Sequence, residues 1–414
     1  MLTRRILAAA TAAMTAGGLV LADAGPGMAA EDPPSRTIAG DRAKVRSPAG
    51  LAVGPDGTTY VLRATNPTTV RVFGPGARGN ARPVRVQKPA VYVNNLDPLA
   101  TDSAGRLYAL SGGPRDVDTI VKVYPRGATS RKPLRTLELL DDKTSIAVSP
   151  SGEIATNLGG DSEVQIYSRT ARGRATPTRV IDVPAETSAG SLELALGGDG
   201  RLWVAGATPN TLLSYAPGAR GNVAPDRRVA GPRTGLGAGA ALDVDAAGRV
   251  YVTQYSGSIP RISVFAPSAN GDAAPLRVLT VPPKTRPRYQ RGDDVGPRGD
   301  IVVPVGADAV RIYRTMFPTR ASKVRAVRVT GKSAAAKRTV RWKKPSYDGG
   351  RAVRSYKVVI RKGTKVLRTK TLGPMKRSYV VNKKSLRRGK LTVTVRAKTS
   401  MGWSPKVVRP FRVR

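Results

Sequence analysis

LAVGPDGTTYVL, residues Leu51–Leu62, sets two short apolar runs on either side of a turn at Gly57. Alternating apolar positions around a glycine turn specify a β-hairpin. The same phrase returns as LATDSAGRLYAL around Gly105, IAVSPSGEIATN around Gly152, LALGGDGRLWVA around Gly200, LDVDAAGRVYVT around Gly248 and DDVGPRGDIVVP around Gly299. Successive turn glycines stand 48, 47, 48, 48 and 51 residues apart. A third run follows each hairpin and carries an aromatic: Phe73, Tyr124, Tyr167, Tyr215, Phe265 and Tyr313. A Pro-x-Arg step then opens a fourth run at Arg85, Arg135, Arg179, Arg227 and Arg277. Four short strands in each repeat of this length make the unit of a β-propeller blade, whose faces are buried only by neighbouring blades.

The ends of the repeat array settle the closure. The sixth repeat has no Pro-x-Arg strand before the composition changes, while Pro34-Ser35-Arg36-Thr37-Ile38 stands alone ahead of the first hairpin. The N-terminal strand is therefore expected to complete the last blade and leave the ring without an open edge. Pro318-Thr319-Arg320 repeats the step once more, but a different pattern begins straight after it, so it reads as linker.

These alternating phrases, with RVFGPGARGNARPVRV and SVFAPSANGDAAPLRVLTV between them, resemble NHL-type six-bladed propellers of exported bacterial proteins over about residues 33–317. That resemblance implies a propeller of residues 31–317 and leaves activity open, since the group spans scaffolds, sensor ectodomains, lactonase-like hydrolases and a lyase. The lyase resemblance implies metal-binding histidines, and this chain of 414 residues has none.

A linker over 318–322 leads to a second module, 323–414. Its segments TVRWKKPSYDGG, SYKVVIRKG and LTVTVRAKTSMGWSP resemble a fibronectin type III domain. Val340 and Trp342 alternate with Arg341 and Lys343, and Tyr356, Val358 and Ile360 with Lys357 and Arg361, as a half-buried sheet requires. Leu386 and Gly389 match the family's corner turn, but Leu391 stands where the corner tyrosine is usual. The expected fold is all-β: a six-bladed propeller closed by its N-terminal strand, plus an Ig-like sandwich.

At the N-terminus Arg4 and Arg5 precede an apolar stretch from Ile6 to Ala22, with small residues suited to cleavage after Ala24 or near Ala30. Residues 1–30 read as a secretory signal, of general or twin-arginine type, so the mature protein is expected to be exported and without a transmembrane segment.

Composition removes whole classes of chemistry. There is no cysteine and no histidine, which excludes disulfides, thiolate metal sites and the Ser-His-Asp and Cys-His pairings. The net charge of +42 is unevenly placed: residues 319–414 hold 31 Lys and Arg against a single acid, Asp348. A sandwich with basic residues at its outward positions attracts polyanions. Arg341, Lys343, Lys344, Lys357, Arg361, Lys383, Lys384, Arg387 and Arg388 are its candidate anion-binding residues. An anionic cell-wall polymer or surface is the expected partner, and nucleic acid is less favoured because few aromatics interrupt the basic positions.

Propeller chemistry is expected in the central channel. Positions six and four before the turn glycines are mostly apolar and should pack between blades, while positions seven and five face the other way and include Glu193, Asp243 and Asp294. Three carboxylates on consecutive blades could hold Ca²⁺ through oxygen ligands. The leading expectation is a non-enzymatic exported binding or scaffold protein, retained at the cell envelope by its basic domain and offering the propeller to a protein or small ligand. The alternative is a Ca²⁺-dependent lactonase-like hydrolase. Two RGD tripeptides, 291–293 and 298–300, read as coincidence, the second being a blade turn.

Overall fold

The computed structural model describes residues 34–413 except 47, 64–67, 90–98, 113–118, 130–131, 140–142, 159–161, 184–191, 206–209, 238–239, 255–260, 282–293, 307 and 332–336. The signal-like segment and Arg291-Gly292-Asp293 lie outside these residues.

Six four-stranded antiparallel sheets form the blades. The first contains Pro48–Val53, Thr59–Arg63, Thr69–Phe73 and Arg85–Gln87, in sequence order from the axis outward. Four further sheets repeat it, ending in the outer strands Arg135–Leu139, Arg179–Asp182, Arg227–Val229 and Arg277–Thr280. Each of these begins at the arginine of its Pro-x-Arg step. The sixth sheet holds Asp294–Val295, Ile301–Val305 and Ala309–Tyr313, and its outer strand is Arg36–Ala39, paired as Arg36↔Ile312 and Ala39↔Ala309. The N-terminal strand thus closes the ring, and residues 318–320 form no strand.

Burial explains why the pattern folds this way. All six third-strand aromatics are buried, none more than 4% exposed. One hydrophobic cluster fills each blade interface, and each such aromatic packs toward the preceding blade: Phe73 lies with Ile38, Val302 and Ile312, and Tyr124 with Tyr60, Leu62 and Val72. Fully burying a side chain of this size contributes roughly 1.5–3 kcal/mol. Because the contribution is made at an interface, no blade is stable alone.

Four of the outer strands are bridged at their edge by the next blade's loop. Gly79 donates to Thr37 O at 2.7 Å and accepts from Ala39 N at 3.1 Å, so the long loop of the first blade pairs with the outer strand of the sixth. Gly173, Gly221 and Gly271 repeat this bridge, each at positive φ, at the next blade's loops.

Residues 323–413 form a β-sandwich. Arg325–Thr330, Lys337–Lys343 and Ser378–Asn382 make one sheet. Lys365–Leu372, Ser355–Lys362, Gly389–Thr399 and Val407–Val413 make the other, with Gly402–Trp403 folded back on the third of these. Val340, Trp342, Tyr356, Val358, Ile360 and Leu391 fill the core between them, with the Trp342 and Tyr356 rings 5.6 Å apart. Leu391 is 1% exposed, so where the resemblance implied a corner tyrosine the chain has an apolar core residue and no hydroxyl.

The sandwich is docked on the rim of blade six. Arg314 donates to Asp348 Oδ2 at 2.9 Å and Arg298 stacks on the Tyr347 ring at 4.1 Å. Thr319 N donates to Gly349 O at 2.9 Å and Ser322 N to Tyr347 O at 2.9 Å, fixing the connecting segment against the same loop.

Candidate functional site

In a blade, the innermost strand runs along the axis and its side chains alternate between the two neighbouring blades. Leu51 and Val53 pack toward blade six, while Ala52 packs toward blade two. Leu194 and Leu196 face blade three, and Ala195 faces blade five. This corrects the expectation that one set of positions faces the channel: residues of both sets, Leu51, Ala147, Leu194, Ala195 and Val244 among them, line it.

Glu193, Asp243 and Asp294 do line that channel. Among the described residues, however, no three His, Cys, Asp or Glu side chains are near enough to hold a metal ion together. The Asp294 carboxylate is turned toward a blade interface. Asp294 Oδ2 accepts a 2.7 Å hydrogen bond from Val53 N, joining the last blade to the first. Val53 O in turn accepts from Thr101 Oγ1 of blade two at 2.7 Å. Glu193 and Asp243 also have interaction partners. The geometry therefore does not assemble the expected Ca²⁺ ligand set. The channel volume, about 70 Å³, is well below the ~300–1,000 Å³ of small-molecule pockets.

Two further carboxylates are buried outright, and spacing alone did not single them out. Asp102 accepts from Arg106 Nε at 2.5 Å and from Tyr108 Oη at 3.1 Å. Asp245 repeats the arrangement with Arg249 at 2.5 Å and Tyr251 Oη at 3.0 Å. Each triad lies beneath the turn of the following blade, at Gly152 and Gly299 respectively. Burial, reinforced by the Asp102 carboxylate, pushes the Tyr108 phenol up to about 12, and burial beside Asp245 pushes Tyr251 up as well. A phenol held protonated beside a satisfied carboxylate is a structural donor and no base near neutrality. The sequence signal was present in Asp-x-x-Gly-Arg-x-Tyr at both turns.

The outer-strand arginines reach across blade interfaces. Arg36 donates to Gly57 O at 3.0 Å, Arg135 to Ala171 O at 2.5 Å and Arg179 to Gly200 O at 2.9 Å, and Arg227 donates to Pro267 O. Each acceptor belongs to the next blade, so these guanidiniums act as clasps between blades.

On the sandwich, Arg341, Lys343, Lys344, Lys384, Arg387 and Arg388 are exposed, and Lys357 and Arg361 are half-buried. The Lys383 side chain lies outside the described residues. Arg341 and Lys343 project from the three-stranded sheet and Lys357 and Arg361 from the other, so the candidate set covers two opposite faces and does not form one patch. Lys357 and Lys398 both approach the Trp403 ring, at 5.9 and 5.6 Å. The edge strand Lys365–Leu372 is exposed along most of its length and carries Lys365, Arg368 and Lys370, a charged guard against pairing with another chain.

No family model matches the chain, and no curated protein matches it. Among solved structures it is similar to the WD40 β-propeller domain of Doa1, at 12% identity over 64% of this chain and 77% of that one, with a TM-score of 0.41. A streptogramin B lyase structure matches at 12% identity over 67% of this chain and 96% of that one, TM-score 0.42. The extracellular domain of a putative hybrid two-component system, BT3049 from B. thetaiotaomicron, matches at 13% identity over 92% of this chain and 58% of that one, TM-score 0.38. Among the described residues no helix is long and apolar enough to cross a membrane.

Proposed function

We propose that this chain is an exported, non-enzymatic binding or scaffold protein in which a propeller of the NHL type is held at an anionic envelope surface by a basic fibronectin type III domain. The observation that carries this reading is the disposition of charge on the sandwich. Its single acid, Asp348, is paired with Arg314 of the propeller, while cationic side chains stand exposed on both outer faces. A surface of one sign on two faces suits an extended polyanion that wraps or bridges, and is poorly matched to a compact ligand needing one convergent patch. The alternative, Ca²⁺-dependent lactonase-like hydrolysis in the channel, needs room for an organic substrate, and about 70 Å³ does not provide it.

Cell fractionation with and without high salt tests the reading. The protein is expected in the envelope fraction at low salt and in the soluble external fraction after a high-salt wash. Retention that survives the wash, or an intracellular location, overturns it.

A further inference from the structure

Between the propeller rim and the sandwich lies a second cavity of about 330 Å³, several times the volume of the channel and within the range of small-molecule sites. Six cationic side chains line it: Arg36, Arg126 and Arg314 from the propeller, and Arg325, Lys344 and Arg377 from the sandwich. Three carboxylates also line it, and each is already satisfied from within. Asp56 pairs with Arg126 and accepts from Thr58 N at 3.1 Å. Asp348 pairs with Arg314 and accepts from Gly350 N at 3.1 Å. Asp300 accepts from Thr315 N at 3.0 Å, and burial pushes its carboxyl above the usual range.

The three cations of the sandwich stand differently. The hydrogen bonds recorded for their side chains go to backbone carbonyls, Arg325 Nε to Lys344 O at 3.1 Å and Arg377 Nη1 to Pro374 O and Lys376 O at 2.5 and 2.8 Å. A guanidinium has five N–H donors in a planar fork, so both arginines keep donors for an oxyanion. Arg377 also stacks over the ring of Tyr356, against the cavity wall, at 4.8 Å.

We infer that the interdomain cavity is a binding site for a small organic oxyanion, a phosphate- or carboxylate-bearing molecule of sugar-like size. Arg325, Lys344 and Arg377 hold its charged group. The walls fit such a molecule, since Pro345, Tyr347, Ala352 and Val353 supply apolar surface beside the cations. The site is a single cavity at the domain junction, and of the exposed residues in the polyanion reading it shares only Lys344.

Calorimetric titration of the full chain with inorganic phosphate, glycerol phosphate and glycerate tests it. Saturable one-to-one binding of at least one of these is expected, weakened about tenfold or more in Arg377→Gln and unchanged in Lys365→Gln, which removes an exposed charge away from the cavity. Glycerol phosphate against glycerate separates the two headgroups. Arg325→Gln serves as a second variant should Arg377→Gln fail to fold. Absence of saturable binding by all three probes, or equal weakening in Lys365→Gln, overturns the inference.

Discussion

Arg314 donates a 2.9 Å hydrogen bond to Asp348, so the one acidic side chain of residues 319–414 is held by the propeller and does not offset the positive charge on the sandwich's outer faces. Both partners are partly exposed, at 40% and 30% for Arg314 and Asp348. An ion pair so placed contributes at most about 1 kcal/mol. Asp348→Asn is therefore expected to leave each domain's melting temperature nearly unchanged, while loosening the docking. Limited proteolysis of the connecting segment reads this directly: faster cleavage near residues 314–322 is expected, and an unchanged rate shows that the Arg298–Tyr347 stack and the backbone contacts of the connecting segment hold the domains by themselves.

Asp294 is expected to act as a seam between the last and first blades. Asp294→Ala leaves Val53 N, on a buried residue, without its acceptor, a loss of roughly 1–3 kcal/mol, whereas Asp294→Asn keeps an oxygen in place and costs less. Denaturant unfolding of both variants separates this from a metal role. Under the seam account, adding Ca²⁺ shifts neither the wild-type midpoint nor the variants'.

The glycines at positive φ that recur with the blade, in hairpin turns and in bridging loops, are not equal. Gly299 has φ +75°, and a methyl group there would sit inside contact distance of the Tyr251 hydroxyl and close to Asp245. Gly79 has φ +56° but open space around it. Gly79→Ala is expected to cost about 1 kcal/mol from backbone strain alone, and Gly299→Ala at least twice that, because the Asp245 triad must move as well. Thermal melts of the two variants rank them, and equal losses would show that the triad gives way freely.

The sequence carried the blade count, the ring closure and the third-strand aromatics, because each follows from a period and a period is visible in one chain. Which neighbour a side chain faces is not periodic information. Glu193, Asp243 and Asp294 were legible as three carboxylates near the axis, but alternation in a blade runs between interfaces, so nearness to the axis did not become convergence. The interdomain cavity was illegible for another reason. Arg36, Arg314, Arg325 and Tyr356 come from three regions of the chain, and only ring closure followed by docking brings them together.

Alkaline unfolding follows from the buried phenols. Burial pushes Tyr108, Tyr215 and Tyr347 up to about 12, with Asp102 and Asp300 adding to it at the first and last. In the unfolded chain these groups ionise near 10. Between about pH 10 and 12 the native state binds more protons than the unfolded one, so stability is intact below that window and falls as pH rises through it. Phenolate absorbance and unfolding midpoints followed together are expected to move in this window. Tyr108→Phe should flatten the stability slope, and an unchanged slope would place the sensitivity elsewhere.

The arginine clasps make the sharpest comparison, since the same residue type occupies equivalent positions with different reach. Arg179 is 8% exposed and donates to Gly200 O of the next blade at 2.9 Å. Arg277 is exposed, and its recorded hydrogen bond runs to its neighbour's carbonyl, Leu276 O, at 2.9 Å. Arg179→Met removes a charged donor from a buried carbonyl across an interface and is expected to cost roughly 1–3 kcal/mol. Arg277→Met removes no hydrogen bond between blades among the described residues and should stay within about 0.5 kcal/mol of wild type. Because every interface must hold for the ring to stay closed, the Arg179 variant should still unfold in one cooperative propeller transition at a lower denaturant midpoint. Equal midpoints for the two variants would show that the clasp geometry adds nothing beyond the hydrophobic clusters already packed between the blades.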